Sequence, residues 1–241
     1  MDAIVGSLIG NDIDVLRLSL RGHGDNFTRL ANNSEAEARL QALSKVTYGL
    51  WCKEMLDAYD YVRQRSRQAG HCPIFLVGFS LGAVLGCDLM LSAPTIRFDR
   101  LLLFAPAFKL HPYTYLPRLL SPFPRFIVPS VSPVDYRSNR GTSIAAYCAL
   151  FASITRFHAN LDPESLNIPT LIFVDSKDEL VSYKALHKMI ENKELTKWQL
   201  ETVVKDQSAR KLYHHLVINA DCVGSERWTG MMRRAMAHLL C

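Results

Sequence analysis

Five apolar runs of strand length punctuate the 241-residue chain, with helix-like segments between them. They are Asp14–Leu20, Ile74–Val77, Leu101–Phe104, Thr170–Val174 and Leu200–Val204. Parallel strands need long crossover connections and are covered on both faces, so they read as continuous apolar runs separated by helices. The pattern predicts an α/β fold, a mostly parallel sheet flanked by helices. A composition that is 49% hydrophobic supplies the core of one such domain over residues 1–241.

The connections can be read in the same way. From Ser34 to Arg67, Ala38, Leu43, Val46, Leu50, Leu56 and Tyr59 recur near helical spacing, which predicts one long helix, broken near Gly49 and ended by Gly70 and Pro73. From Ala107 to about Asn167 seven prolines, at 112, 117, 122, 124, 129 and 133 and just before at 106, crowd together with Phe108, Tyr113, Tyr115, Phe123 and Phe126. Such density excludes a long helix or a central strand, so 107–167 is expected to be a cap inserted over one edge of the sheet, with a helix over Thr142–Phe157. The tail Ser225–Leu240 predicts an amphipathic helix, with Trp228, Met231, Met232, Met236 and Leu239 inward and Arg227, Arg233 and Arg234 outward.

One stretch carries chemistry. In FLVGFSLGA, residues 75–83, Ser80 stands between Gly78 and Gly82, after a strand and before the helix Leu81–Leu91. A serine on such a strand-to-helix turn is held in strained backbone, and Gly78 and Gly82 are expected to give the turn its clearance. A serine hydroxyl is a weak nucleophile at neutral pH and needs a histidine base oriented by a carboxylate. Both should follow later strands. The run Leu171–Val174 opens into Asp175-Ser176-Lys177-Asp178-Glu179, where Asp178 is the expected acid and Asp175 the expected turn cap. Near the end, Lys211-Leu212-Tyr213-His214-His215-Leu216 offers two adjacent histidines, which point opposite ways if the segment is extended. Either could be the base, and His214 is preferred. His23, in RGHG, precedes the serine and reads as a structural or rim-lining turn residue.

Other chemistries are poorly supported. The formal charge of +5 comes from 28 basic and 23 acidic residues, and the densest basic run, Arg63-Gln64-Arg65-Ser66-Arg67, reads as a solvated helix end, so no nucleic-acid partner is expected. Six scattered cysteines lack metal-site spacing and read as free thiols in a reducing compartment. No run approaches the roughly 18 apolar residues of a transmembrane helix, and the start lacks a signal-peptide pattern. A cytoplasmic location is expected; oligomeric state cannot be read.

Together, RGHG after a strand, GFSLGA at the turn, VDSKDELVS after a later strand and HHL near the end resemble the α/β-hydrolase family. The resemblance implies that Ser80 attacks a carboxylic ester, thioester or related acyl bond, that His214 or His215 shuttles the proton, that Asp178 is the acid, and that neither cofactor nor metal is needed. Members often carry an acidic residue five positions after the base, and Asn219 lies five after His214, which favours His214. Relatives that open epoxides or remove halides generally use aspartate at the elbow, which Ser80 argues against.

The start departs from the family, which has further strands and a His-Gly-type loop before the strand matching Asp14–Leu20. Residues Ala3–Ile9 resemble the end of the first family helix. The oxyanion donor from that loop is therefore expected to be missing, leaving Leu81 N–H as the donor from the elbow. Two expectations follow: a serine hydrolase acting on an apolar acyl ester or thioester, or a catalytically impaired hydrolase-like binding protein or fragment of a longer hydrolase.

Overall fold

The computed structural model describes residues 1–29, 33–210 and 213–240. Lys211 and Leu212, named above, and Cys241, one of the six cysteines, lie outside these. Helices α1 (Asp2–Ile9), α2 (Glu35–Leu43) and α3 (Tyr48–Gln68) precede β1 (Phe75–Phe79), α4 (Leu81–Ser92) and β2 (Arg100–Phe104). A 3₁₀ helix (Pro112–Leu120), β3 (Ile127–Pro129), β4 (Gly141–Ser143), α5 (Ile144–Ala159) and α6 (Pro163–Leu166) follow. The chain continues through β5 (Thr170–Asp175), α7 (Tyr183–Asn192), β6 (Trp198–Val203), α8 (Ala220–Val223) and α9 (Ser225–Leu240).

The main sheet has the order β1-β2-β5-β6, all parallel. Register aligns Phe79 with Phe104 and Phe104 with Phe173, so the carboxyl ends of the strands form one rim. Alternation along β2 sends Leu101 and Leu103 into a core shared with α3, α4, α5 and α7, and Leu102 and Phe104 into a second core shared with α1 and α9. That two-sided burial is why β1, β2 and β5 are mainly apolar, whereas the edge strand β6 carries Gln199, Glu201 and Thr202. The tail helix forms as expected, with Met231, Met232 and Leu239 buried and Arg227, Arg233 and Arg234 exposed.

Three expectations are corrected. The run Asp14–Leu20 forms no strand. A strand exists only through a partner, and among the described residues β1 pairs with β2 alone, leaving its outer edge without a ladder. The run still packs, with Val15 against the α1/α9 core and Leu18 and Leu20 against the core under α2 and α3. Next, the helix expected over 34–67 breaks before Gly49, at Ser44–Thr47, because Thr47 Oγ1 accepts the Leu50 N–H and starts a new helix with Gly49 in its first turn. Finally, only one of the two elbow glycines is needed for clearance. A Cβ at Gly78 would lie 2.7 Å from the Ala83 Cα, whereas at Gly82 it would meet nothing within 4 Å. Another close approach lies in α4 itself, at Gly86, where a Cβ would press on Leu76 of β1. These two glycines seat α4 on the sheet.

Helix α4 is also tied sideways. Its buried Asp88 accepts the Tyr48 hydroxyl hydrogen bond from α3 at 2.5 Å, and Arg156 of α5 lies 5.0 Å from the Tyr48 ring centroid. Burial pushes the Asp88 carboxyl above its ordinary range, against the opposing pull of the Tyr48 bond and Arg156. The proline-rich segment has two 3₁₀ helices, Pro112–Leu120 and Val134–Tyr136, and the antiparallel β3–β4 pair before α5, which Ser143 caps.

Candidate active site

Ser80 sits at the sharp turn between β1 and α4 with φ 49° and ψ −109°, a region that non-glycine residues avoid. The surroundings hold it there. Its N–H donates to Phe104 O at 2.9 Å, and its carbonyl accepts from Ala107 N at 3.2 Å, both from the end of β2. Ala105, between them, is itself at φ 42° and fully buried. Strain concentrated at two touching turns marks a site the fold over-determines.

Ser80 Oγ lies 3.0 Å from His215 Nε2, and His215 Nδ1 lies 2.8 Å from Asp178 Oδ2. With Nδ1–H donated to the carboxylate, Nε2 is the acceptor for the serine hydroxyl. Asp178 Oδ1 accepts the backbone N–H groups of Leu180 and Val181 at 2.7 and 2.8 Å, which leaves Oδ2 for the histidine. The Asp178 side chain is fully buried and His215 nearly so, and the Phe79 ring flanks the imidazole at 5.1 Å between centroids. Asp178 does not cap α7, because Ser182 does.

The preference for His214 is corrected by this geometry. His214 Nδ1 turns to Asp175 Oδ2 at 2.6 Å, and it is His215 that meets Ser80. Asp175 caps its turn as expected, through Oδ1 and the Lys177 N–H, but also holds this second histidine. Asn219 gives no support to His214 either. Its Oδ1 accepts from Cys222 N at 3.0 Å and caps α8, while its amide donates to the Tyr136 hydroxyl.

Sequence reasoning missed Glu179. One carboxylate oxygen accepts His214 N–H at 3.0 Å and the other accepts His215 N–H at 3.1 Å, so a single side chain clamps the histidine turn to the acid loop. Its adjacency to Asp178 was the available signal. Lys205 donates to Tyr213 O at 2.8 Å beneath the same turn. Burial lowers the Lys205 ammonium below its ordinary value, against the raising pull of Cys222, Asp175, Glu179 and Asp178.

Leu81 N–H, at the first turn of α4, has no hydrogen-bond partner among the described residues and lies beside Ser80. Three amides of the RGHG turn are engaged: Arg21 N donates to Glu54, Gly22 N to Asn26 O and His23 N to Leu20 O. Partly buried His23, its basicity lowered mainly by desolvation, packs on Trp51 with ring centroids 5.8 Å apart. Among the described residues no cluster of side chains could hold a metal ion, and the described cysteines are free.

A soluble variant of the Saccharomyces cerevisiae monoglyceride lipase, solved with a substrate analogue, superposes with a TM-score of 0.67 at 13% identity, over 91% of this chain and 75% of that one. A structure reported with LipS and LipT, two metagenome-derived lipolytic enzymes, gives 0.60 at 16% identity, over 84% and 77%. Est1E of Butyrivibrio proteoclasticus with ferulic acid bound gives 0.59 at 17% identity, over 100% and 83%. At such identities the likeness shows a shared fold. No curated protein matches the chain significantly. Residues 1–149, more than half of the chain and including the elbow serine, match the family described as serine aminopeptidase, S33. With the parallel sheet and the serine turn at its rim, that match makes the chain a member of the serine aminopeptidase (S33) family of α/β-hydrolases.

Proposed function

We propose that the protein is a serine hydrolase that cleaves a carboxylic ester or thioester through Ser80, His215 and Asp178. The observation that carries this reading is the unbroken hydrogen-bond chain from Ser80 Oγ through His215 to Asp178, with distances of 3.0 and 2.8 Å.

Each step follows from that chain. As Ser80 Oγ bonds to the substrate carbonyl carbon, its proton passes to His215 Nε2, and Asp178 stabilises the resulting imidazolium. The carbonyl oxygen becomes an oxyanion next to Leu81 N–H. Collapse of the tetrahedral adduct breaks the bond to the leaving group, which takes the proton from Nε2 as an alcohol or thiol and leaves an acyl-Ser80. Water then adds to the acyl carbon with Nε2 as base, and the departing Ser80 Oγ takes that proton back from Nε2 as the acid is released. The 107–167 segment, which carries Tyr115 stacked on Phe151, serves as an apolar cap over this rim. That cap favours an apolar acyl group, in line with the lipolytic and esterase activities named for the superposed structures.

A fluorophosphonate probe should label Ser80, and Ser80→Ala should abolish both labelling and hydrolysis of p-nitrophenyl esters. Folded protein that resists the probe would sink the proposal. That outcome would leave the second reading, a hydrolase-like binding protein. One observation favours it: the Arg21, Gly22 and His23 amides of the RGHG turn are engaged elsewhere, so none of these three joins Leu81 as a second oxyanion donor. Loss of one such donor typically costs about 10²- to 10³-fold in rate.

A further inference from the structure

The surface between Ala107 and Val134 is unlike the rest of the protein. No acidic residue occurs between Asp99 and Asp135, a stretch that includes Arg118 and Arg125. Both arginines are exposed, and neither makes an ion pair or side-chain hydrogen bond among the described residues. Within the same stretch Tyr113, Leu116, Leu119, Phe123 and Phe126 are 55–79% exposed.

These apolar side chains share a side because of the helix type. A 3₁₀ helix has three residues per turn, so side chains at i and i+3 eclipse. In Pro112–Leu120 that rule stacks Tyr113, Leu116 and Leu119 in one row, while Tyr115, one step round, turns inward to stack on Phe151. Bonds of the same i to i−3 kind continue past the helix, from Ser121 N to Arg118 O, Phe123 N to Leu120 O and Phe126 N to Phe123 O, and by that spacing Phe123 and Phe126 follow Leu120, one step round from the first row. No residue of the 3₁₀ helix is buried. Exposed apolar residues are ordinarily scattered singly, and a contiguous row marks a surface that meets something.

We infer that this face docks on a lipid surface bearing anionic headgroups. Two observations select that occupant. A row of leucine and aromatic side chains suits the headgroup–acyl boundary, and unpaired arginines with no carboxylate among them complement negative charge. The face is also joined to the acid loop. His111 N donates to Leu180 O at 2.9 Å, the His111 imidazole contacts Asp178 O at 3.1 Å, and the Tyr113 hydroxyl donates to Glu179 O. Docking would therefore hold the bilayer next to the loop that carries Asp178. Delivery of an acyl chain from the membrane to Ser80 rests on the hydrolase reading above, whereas the docking itself does not.

The test is flotation of the full chain carrying Ser80→Ala with phosphatidylcholine vesicles, with and without phosphatidylserine. Binding to the anionic vesicles is expected, weakened on the order of 25-fold by Arg118→Gln with Arg125→Gln. Leu116→Ser, Leu119→Ser and Phe123→Ser together should weaken it by about 100-fold or more, with an unchanged thermal melt because the side chains are exposed. No flotation, equal flotation of the serine variant, or equal binding to neutral vesicles overturns the inference. So does a dimer in solution that the serine substitutions disperse, which would assign the face to a second copy. Hydrolysis of a water-soluble ester by the unaltered protein reads the active site separately, so failure of one proposal is distinguishable from failure of the other.

Discussion

His214 and His215 are chain neighbours, and each gives Nδ1 to a carboxylate from the same loop, at 2.6 and 2.8 Å. The pairs nevertheless differ. The His214 side chain is 35% exposed and makes no contact with Ser80, whereas that of His215 is 10% exposed, flanked by Phe79 and 3.0 Å from the serine. A histidine–aspartate pair is thus a common structural device; a third partner and exclusion of water are what give it chemistry.

The largest effect should separate the two histidines directly. His215→Ala is expected to lower kcat by about 10⁶-fold, while His214→Ala leaves it within a few-fold, as read from ester hydrolysis. An inverted order would reverse the assignment. The carboxylates should repeat the contrast on a smaller scale. Asp178→Asn should lower kcat about 10⁴-fold through the wrong histidine tautomer. Asp175→Asn should act on stability instead, costing roughly 1–2 kcal/mol in denaturant titrations, because its partly buried charged bond to His214 is weakened.

Glu179 connects the two pairs, since it holds both backbone N–H groups. Glu179→Ala frees the turn, and small misplacement of a catalytic group is costly, so kcat should fall on the order of 10²-fold with little change in KM. Glu179→Gln, which keeps one acceptor, should recover part of that loss. The smallest expected contrast is between the two elbow glycines, again near neighbours treated differently by their surroundings. Gly78→Ala meets the Ala83 backbone and should cost about 1–3 kcal/mol. Gly82→Ala meets nothing and should stabilise α4 by about 0.5–1 kcal/mol in a thermal melt.

Four of the five expected strands form, because each finds a ladder partner in the sheet, with β1, β2 and β5 mainly apolar and β6 at the edge more polar. The fifth, Asp14–Leu20, carries four apolar residues among Asp14, Arg17 and Ser19 and forms no strand for want of a ladder partner. Ser80 was legible because strand, turn and helix are local, and Asp178 because it follows β5 in the right order. Glu179 was not, since its partners are 35 and 36 residues away. Likewise the apolar row at Tyr113, Leu116 and Leu119 depends on a 3₁₀ period that prolines at 112 and 117 hide from a search for α-helical spacing.

By itself the sequence determined the alternation of strands and helices, the serine on its elbow and the ordered acid and histidine pair behind it, because periodicity, turn chemistry and chain order are properties of neighbouring residues. Only the tertiary structure decided which histidine meets the serine, which glycine must lack a side chain and which apolar run becomes a strand. Each of those depends on the direction of a side chain or the presence of a partner brought from elsewhere in the chain, and no local rule encodes that.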